Sequence, residues 1–596
     1  MPNEIRDIRT VHPEDGLVLE KNVSVHMSTG DVIRCNVFKP KTSNPAQKFP
    51  AIVTMGPYGK DVEYKYFHPA SFAEVNPEHQ TKHAAWELPT PEYWTRHGYV
   101  VVRGDEIGTG QSPGKMNVFS AASVECYHEL IEWVRDQEWC TGKIGLLGIS
   151  YYATQQWKVA ARQPKGLVCA IPWEGFTDTY RDAARHGGIM SDGFFNYWYP
   201  RQVLSNQYGL PGRATRNWGD DTIEGDLSAD ELAANRVDII DYLAKHPYRD
   251  DDQFAAVNVN LRDIKIPILT VANWGGFLLH LRGNVEGFLR SGSELKYIRF
   301  IVGRHDLPFY YPEEVELQRS FLDAFCKNDD RVGWSRKGEV APVDLLLRKG
   351  NPGYNNAEAE KAFPRRFESE WPIARTQYTN FHLHPDGSLL TTAPTLNTDM
   401  KRSYKAPGKS GSSDMITFTT PPFQNETEIT GHIVAHLNVS MSGLHGSPMP
   451  SELDVFVTLR HFDEKGKEIY YTGTTGEAAP VTKGWLRFSL RKTNESSATH
   501  EPWLPHRDYY SSDYQPVIPN DIYPVDIEVW PTNVVVGKGG ALQIEISAGD
   551  THGVGLFSHS NKLDRPEEKL LGLNHVHFGP KFHNYVTLPV IPAKED

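Results

Sequence analysis

The sequence predicts a doubly wound α/β domain, interrupted by a helical insertion and followed by an all-β sandwich. Three observations carry this. Short apolar runs alternate with helical periodicity through the first half of the chain. A stretch of aromatic and charged helical sequence breaks that alternation. Beyond about Val340, short alternating segments separated by turn signals take over. At 596 residues the chain is too long for one hydrophobic core. The expected division is 1–175 for the first part of the α/β core, 176–261 for the inserted cap, 262–339 for the second part of the core and 340–596 for the sandwich.

The opening reads as a hairpin: Val18 to Val25 and Val32 to Phe38 alternate around the turn Ser28-Thr29-Gly30-Asp31. Pro50 to Met55 and Tyr99 to Val102 are short apolar runs without alternation, the pattern of parallel strands covered on both faces. Helical spacing follows from Ala121 to Trp139, then a strand over Ile144 to Gly148 and a helix through Thr154 to Arg162. Strand signals return at Leu167 to Ile171, Ile268 to Ala272 and Ile298 to Val302. Between Phe176 and Asn260 the run Phe194-Phe195-Asn196-Tyr197-Trp198-Tyr199 and the stretch Leu227 to Leu243 read as a cap over the sheet's edge. In the last part, Met415 to Thr419, Glu428 to Val439, Leu453 to Leu459, Trp485 to Leu490, Val525 to Trp530 and Ala541 to Ile546 have the spacing of a sandwich or jelly roll.

Composition excludes several function classes. Hydrophobic residues make up 39% and charged residues 23%, an ordinary globular mixture. The net charge is −13 and no long Lys/Arg run occurs, which argues against a nucleic-acid partner. Met1 to Asp15 lack the apolar stretch of a signal peptide, and no segment is apolar enough to span a bilayer. Five cysteines, Cys35, Cys126, Cys140, Cys169 and Cys326, are scattered without metal-ligand spacing. Reduced thiols in a cytoplasmic protein without metal or cofactor are the expectation. A homo-oligomer is compatible with all of this.

The segment that carries chemistry is Gly145-Leu146-Leu147-Gly148-Ile149-Ser150-Tyr151-Tyr152-Ala153. It follows a strand and opens a helix. A serine on that sharp turn projects its hydroxyl above the sheet, over a helix N-terminus whose dipole favours developing negative charge. Gly148 matches the small residue needed two positions before the nucleophile. Two positions after it the motif asks for Gly, and this chain has Tyr152.

Around this elbow the chain resembles the CocE/NonD hydrolases, a family that includes cocaine esterase, glutaryl acylases, α-amino acid ester hydrolases and X-prolyl dipeptidyl peptidases. The resemblance rests on Gly56-Pro57-Tyr58-Gly59-Lys60, on Trp94-x-x-x-Gly98-Tyr99-Val100, and on Asp105-x-x-Gly108-x-Gly110-x-Ser112-x-Gly114. It extends through Trp133-x-x-x-Gln137-x-Trp139-x-x-Gly142-Lys143-Ile144-Gly145 and Gly148-Ile149-Ser150-Tyr151. In the last third, Phe418-x-x-x-Pro422 leading to Gly431, Gly484-Trp485-Leu486-Arg487, and Pro524-x-x-Ile527-Glu528-x-Trp530-Pro531-Thr532 are similar to that family's jelly-roll domain. The resemblance implies an α/β-hydrolase core with Ser150 as nucleophile.

Acyl transfer needs donors where the carbonyl oxygen becomes anionic. The backbone N–H of Tyr151 is one by geometry. Tyr58, in the loop after the Ala51-to-Met55 strand, is the other that the resemblance implies. The base must be a histidine after the last core strand, since chain order in this fold is Ser, acid, His. His305 stands there, in the same context as the family's catalytic histidine. His280, on an expected helix from Leu278 to Asn284, reads as structural, and His186 falls in the cap.

The acid departs from the family pattern. Its usual place is an Asp in a W-x-D turn after the Ile268-to-Ala272 strand, and here that turn reads Asn273-Trp274-Gly275-Gly276-Phe277. Three carboxylates are candidates. Glu286 lies about two turns along the following helix. Asp306 neighbours His305 but sits badly to orient its ring. Glu174 ends the strand after the nucleophile's, a position from which some α/β hydrolases supply the acid, and is preferred. The leading expectation is therefore a serine hydrolase of small to medium esters or amides using Ser150, His305 and Glu174. Acyl transfer would use the same residues. An exopeptidase would need an acidic pocket, for which Asp178, Asp182 and Asp192 are the cap's candidates. A rival from another class is a pseudo-hydrolase that binds a ligand without turning it over.

Overall fold

The computed structural model describes residues 9–11, 16–213 and 225–592. Its first unit is an 11-stranded sheet. In chain order the strands are β1 (Arg9–Val11), β2 (Leu17–His26), β3 (Val32–Pro40), β4 (Phe49–Gly56), β5 (Val100–Asp105), β6 (Cys140–Ile149), β7 (Leu167–Trp173), β8 (Ile268–Asn273), β9 (Lys296–Ile301), β10 (Val343–Leu346) and β11 (Arg365–Glu368). Across the sheet they run β1-β2-β3-β5-β4-β6-β7-β8-β9-β10-β11. From β5 through β10 every pairing is parallel, and the edges are antiparallel.

The parallel centre explains the unalternating apolar runs. All six residues of β5 and all six of β8 are buried, because helices cover both faces. One covering helix, α1 (Ala121–Arg135), buries Val124, Tyr127, Leu130, Ile131 and Val134 at three- and four-residue spacing. Its first turn is closed by Ser120, whose hydroxyl accepts from the Ser123 N–H at 3.2 Å, a cap worth about 1 kcal/mol. The nucleophile's helix, α2 (Tyr151–Ala160), is buried along its whole length.

Register brings the reactive ends together. Ile149 at the end of β6 pairs with Trp173 at the end of β7, Trp173 with Val271 of β8, and Asn273 with Ile301 of β9. The loops that follow these four strands therefore open on one crevice above the carboxyl edge, where ligands bind in sheets of this kind. The cap roofs it with a short hairpin of Arg185–His186 and Ile189–Met190 and the aromatic helix Asp192–Trp198.

The second unit is built from antiparallel strands. Its longest pair, Thr427–Ser442 with Tyr523–Val536, carries a register shift between Gly431 and Ile433. Leu437, Val457, Ile527 and Ile544 are among its buried core. The boundary differs from the expected one at 340. The strands β10 and β11 belong to the core sheet: Val343 pairs with Ile298 of β9, and β11 folds back antiparallel on β10. Only a four-residue helix, Ala357–Glu360, separates β10 from β11, so their sequence reads like the all-β region beyond. The sandwich's own strands begin at Gln377.

The two units interlock. The His186 ring packs on Trp485 at 4.5 Å, and the Arg348 main-chain N–H donates to the Asn533 side chain. The His305 N–H donates to the Thr474 carbonyl at 3.0 Å, and the Thr474 hydroxyl donates to the Gly275 carbonyl. A chain cut after residue 376 keeps the whole core sheet and loses every one of these contacts. It is expected to be insoluble, or soluble and inactive, by expression and gel filtration; a soluble fragment with full activity would show the sandwich to be dispensable.

Candidate active site

Ser150 joins β6 to α2 with φ 60° and ψ −117°, a strained backbone costing on the order of 1–3 kcal/mol. Its N–H donates to the carbonyls of Trp173 and Glu174, both at 3.1 Å, which locks the elbow onto the neighbouring strand end. The first N–H groups of α2 lie beneath it without intrahelical partners. The departure at Tyr152 has a physical explanation. A Cβ at Gly56 would lie 2.6 Å from the Tyr152 ring and one at Gly148 would lie 2.8 Å from its Cβ. Two glycines on the strand side make room for the ring on the helix side.

His305 and Glu174 meet at this edge. The His305 Nδ1–H donates to Glu174 Oε2 at 2.8 Å. Glu174 is fully buried, and its Oε1 accepts from the Asn273 side-chain amide at 3.2 Å. The turn that lacks the family's Asp is occupied from the other side. A Cβ built on Gly276 would stand 3.7 Å from Glu174 Oε2, so the Glu174 carboxylate fills the volume that a side chain from position 276 would reach.

Two further residues complete the site, and neither was read from the sequence as part of it. His280, the residue before helix α3 (Leu281–Arg290), has its Nε2 3.2 Å from the Ser150 hydroxyl. It is the hydroxyl's hydrogen-bond partner among the described residues. Its ring is stacked between Phe176 and His305, at 5.6 and 5.1 Å. Burial, with His305 adding to it, pushes the His280 pKa well below the usual histidine value, and among the described residues no carboxylate bonds its Nδ1. Glu87, in the loop between β4 and β5, places Oε1 3.3 Å from His305 Nε2. Burial acts to lower the His305 pKa, but the Glu174 and Glu87 carboxylates outweigh it and push it up to about 10. Nothing in the spacing around Trp86-Glu87-Leu88-Pro89 marks Glu87; only the folded loop brings it here.

Tyr58 lines the same cavity. Its hydroxyl accepts from the Trp198 indole N–H at 2.8 Å, which leaves its own proton free to donate. Burial, reinforced by Glu87, holds that phenol well above its usual pKa, so it stays protonated. The Tyr151 side chain points away, donating to Glu106 at 2.9 Å, while its backbone N–H begins α2 behind Ser150. The cavity, about 250 Å³, is walled on one side by Phe194, Trp198, Leu279, Leu556 and Phe557. Its polar side holds Glu87, Arg201, Arg304 and His305.

The other candidates are engaged elsewhere. Asp306 accepts from Tyr64 and Ser71 and pairs with Arg304 at 3.0 Å. Glu286 pairs with Arg290. His186 bonds His559 in the seam with the sandwich. Asp178 is held by Arg181 and Arg249, Asp182 by Arg282, and Asp192 by the Ser560 N–H. None of those three aspartates lines the cavity.

Known proteins match this arrangement over both units. Residues 29–295 match the profile of the X-Pro dipeptidyl-peptidase (S15 family), and residues 336–587 that of the X-Pro dipeptidyl-peptidase C-terminal non-catalytic domain. A crystal structure of a CocE/NonD family hydrolase from Staphylococcus aureus is 26% identical, superposes with a TM-score of 0.79, and covers 99% of this chain and 98% of that one. The cocaine esterase of Rhodococcus is 22% identical over 96% of this chain and 98% of its own length. The Xaa-Pro dipeptidyl-peptidase of Lactobacillus helveticus is 24% identical, but over 28% of this chain and 26% of its own length.

Two outcomes follow from the geometry. A fluorophosphonate probe should label the protein, and Ser150→Ala should abolish labelling with no change in the circular dichroism spectrum; labelling of the variant would place the nucleophile elsewhere. Tyr58→Phe should lower kcat by about 10²–10³ with little change in KM, because one oxyanion donor is lost; an unchanged kcat would leave Tyr58 a packing residue.

Proposed function

The chain belongs to the CocE/NonD family of serine hydrolases, and we propose that it cleaves esters or amides of an apolar acyl group through Ser150, His305 and Glu174. The observation that carries the assignment is the Glu174–His305 contact at 2.8 Å, made by a carboxylate that occupies the volume open to position 276. A triad histidine without such a partner loses its tautomer and much of its rate.

In this reading the Ser150 hydroxyl turns from His280 to His305 and attacks the acyl carbon. The Oγ–C bond forms as the hydroxyl proton passes to His305 Nε2. Charge on the carbonyl oxygen is met by the Tyr58 hydroxyl and the Tyr151 N–H. His305 then gives the proton to the leaving alcohol or amine, and the bond to that group breaks. Water, giving its proton to His305, adds to the acyl carbon; His305 returns that proton to Ser150 Oγ as the Oγ–C bond breaks and the acid leaves. The aromatic wall of Phe194, Trp198 and Phe557 favours an apolar acyl group, and the cavity's volume suits a small one.

The exopeptidase reading loses its proposed acidic pocket with Asp178, Asp182 and Asp192 engaged outside the cavity. The five cysteines are free and buried, which fits a reducing compartment, and we take the cytoplasm as the site of action. Among the described residues no helix is long and apolar enough to cross a membrane.

The acid is testable by transplantation. Glu174→Gln should lower kcat by roughly 10⁴, the scale seen when a triad acid becomes its amide. Gly276 does not have a positive φ, so an L side chain is accepted there. Glu174→Ala with Gly276→Asp should therefore recover at least about tenfold over Glu174→Ala alone. A harmless Glu174→Gln, or a crippling Glu286→Gln, would remove Glu174 from the role.

A further inference from the structure

His305 has a carboxylate on each ring nitrogen. Glu174 takes Nδ1, as the proposed reaction needs. Glu87 takes Nε2, the nitrogen that must receive the serine's proton. A carboxylate at ion-pair distance favours the protonated Nε2, which has no lone pair to offer. Ser150 meanwhile rests on His280. The two facts describe one state: in the free enzyme the base is capped and the nucleophile is parked on a neutral neighbour.

Glu87 is built into this place. Its backbone has φ 63°, a left-handed conformation that a Glu adopts at a cost of roughly 1–3 kcal/mol. Its carbonyl accepts from the Ile149 N–H at 3.1 Å, so the loop is fastened to the residue just before the nucleophile. The residue is 3% exposed, and its carboxylate borders the substrate cavity. Among the described residues His305 is its only ion-pair partner. A carboxylate that merely closed a loop would not face the one nitrogen through which the proton must pass.

We propose that Glu87 is a positioning residue of the reaction, which holds His305 as an imidazolium turned from Ser150 and so sets the pH at which the base becomes available. The inference rests on the assignment of His305 as the base. Around the ring stand Glu174 and Glu87 at its nitrogens, neutral His280 on its face, and the Arg304–Asp306 pair beside it in sequence. Tyr58, His68 and Arg201 share the cavity. Removing the Glu87 charge takes one of two opposite charges from the imidazolium, so the His305 pKa falls. The acid limb of the activity profile then moves to lower pH.

The measurement is the second-order rate of fluorophosphonate labelling of Ser150 from pH 5 to pH 10, which needs no knowledge of the substrate. With Glu87→Gln the acid limb should move down by about one to three pH units, and labelling on that limb should rise about tenfold per pH unit moved. Glu87→Ala should move it in the same direction, which keeps the test open if the amide disturbs the loop. Unprocessed protein supplies a third arm. Downfield proton spectra of the wild type should show two strongly deshielded imidazolium protons at pH 8, and both should vanish in His305→Gln. An unmoved limb in both variants, or a single imidazole proton at pH 8, overturns the proposal. Failure of the triad assignment would look different, because Glu174→Gln would then leave the labelling rate intact.

Discussion

A carboxylate with no exposed surface must find a partner, and in this protein that requirement organises the site. Burying an unpaired Glu174 would cost several kcal/mol. The Asn273 amide takes one of its oxygens and the His305 imidazole the other. Satisfying Glu174 in this way fixes the His305 ring, and the ring's second nitrogen is left facing Glu87 at the border of the cavity. The sandwich contributes to the same end, since Thr474 holds the His305 main chain from outside the core. The second unit is thus part of the site's scaffold, which also explains why Leu556 and Phe557 wall the cavity.

Three of the ten described non-glycine residues with positive φ belong to the site. Ser150, Glu174 and Glu87 all have positive φ without being glycine. Ser150 and Glu174 sit where the chain leaves the carboxyl end of a sheet strand and Glu87 flanks one; Ser150 and Glu87 border the cavity, while Glu174 is buried against His305. Such conformations persist when surrounding structure over-determines them. Here the parallel sheet does so, through the N–H of Ser150 on the Trp173 and Glu174 carbonyls and the N–H of Ile149 on the Glu87 carbonyl.

Much of this was legible in the sequence. The buried parallel strands announced themselves as apolar runs, and the strand–serine–helix context singled out Ser150. The missing carboxylate in Trp274-Gly275-Gly276 pointed to an acid elsewhere, and chain order along the sheet pointed to Glu174. Other features were hidden for physical reasons. His280 precedes an amphipathic helix, and periodicity alone cannot tell a buried histidine from one that reaches a neighbouring hydroxyl. Glu87 lies in a loop whose path is set by tertiary contacts. The strand β10 joins the core sheet through β9 and carries β11 with it, and a strand carries no mark of which sheet it joins.

The central claim is that Ser150, His305 and Glu174 act as one unit with Tyr58 and the Tyr151 N–H as the oxyanion donors. A crystal structure of the protein after reaction with a phosphonate ester tests it most directly. The account predicts phosphorus bonded to Ser150 Oγ, the phosphoryl oxygen within hydrogen-bond distance of the Tyr58 hydroxyl and the Tyr151 N–H, and His305 Nε2 turned toward the adduct with Nδ1 still on Glu174. An adduct on another residue, or one in which His280 faces the phosphonate and His305 stays paired with Glu87, would contradict it.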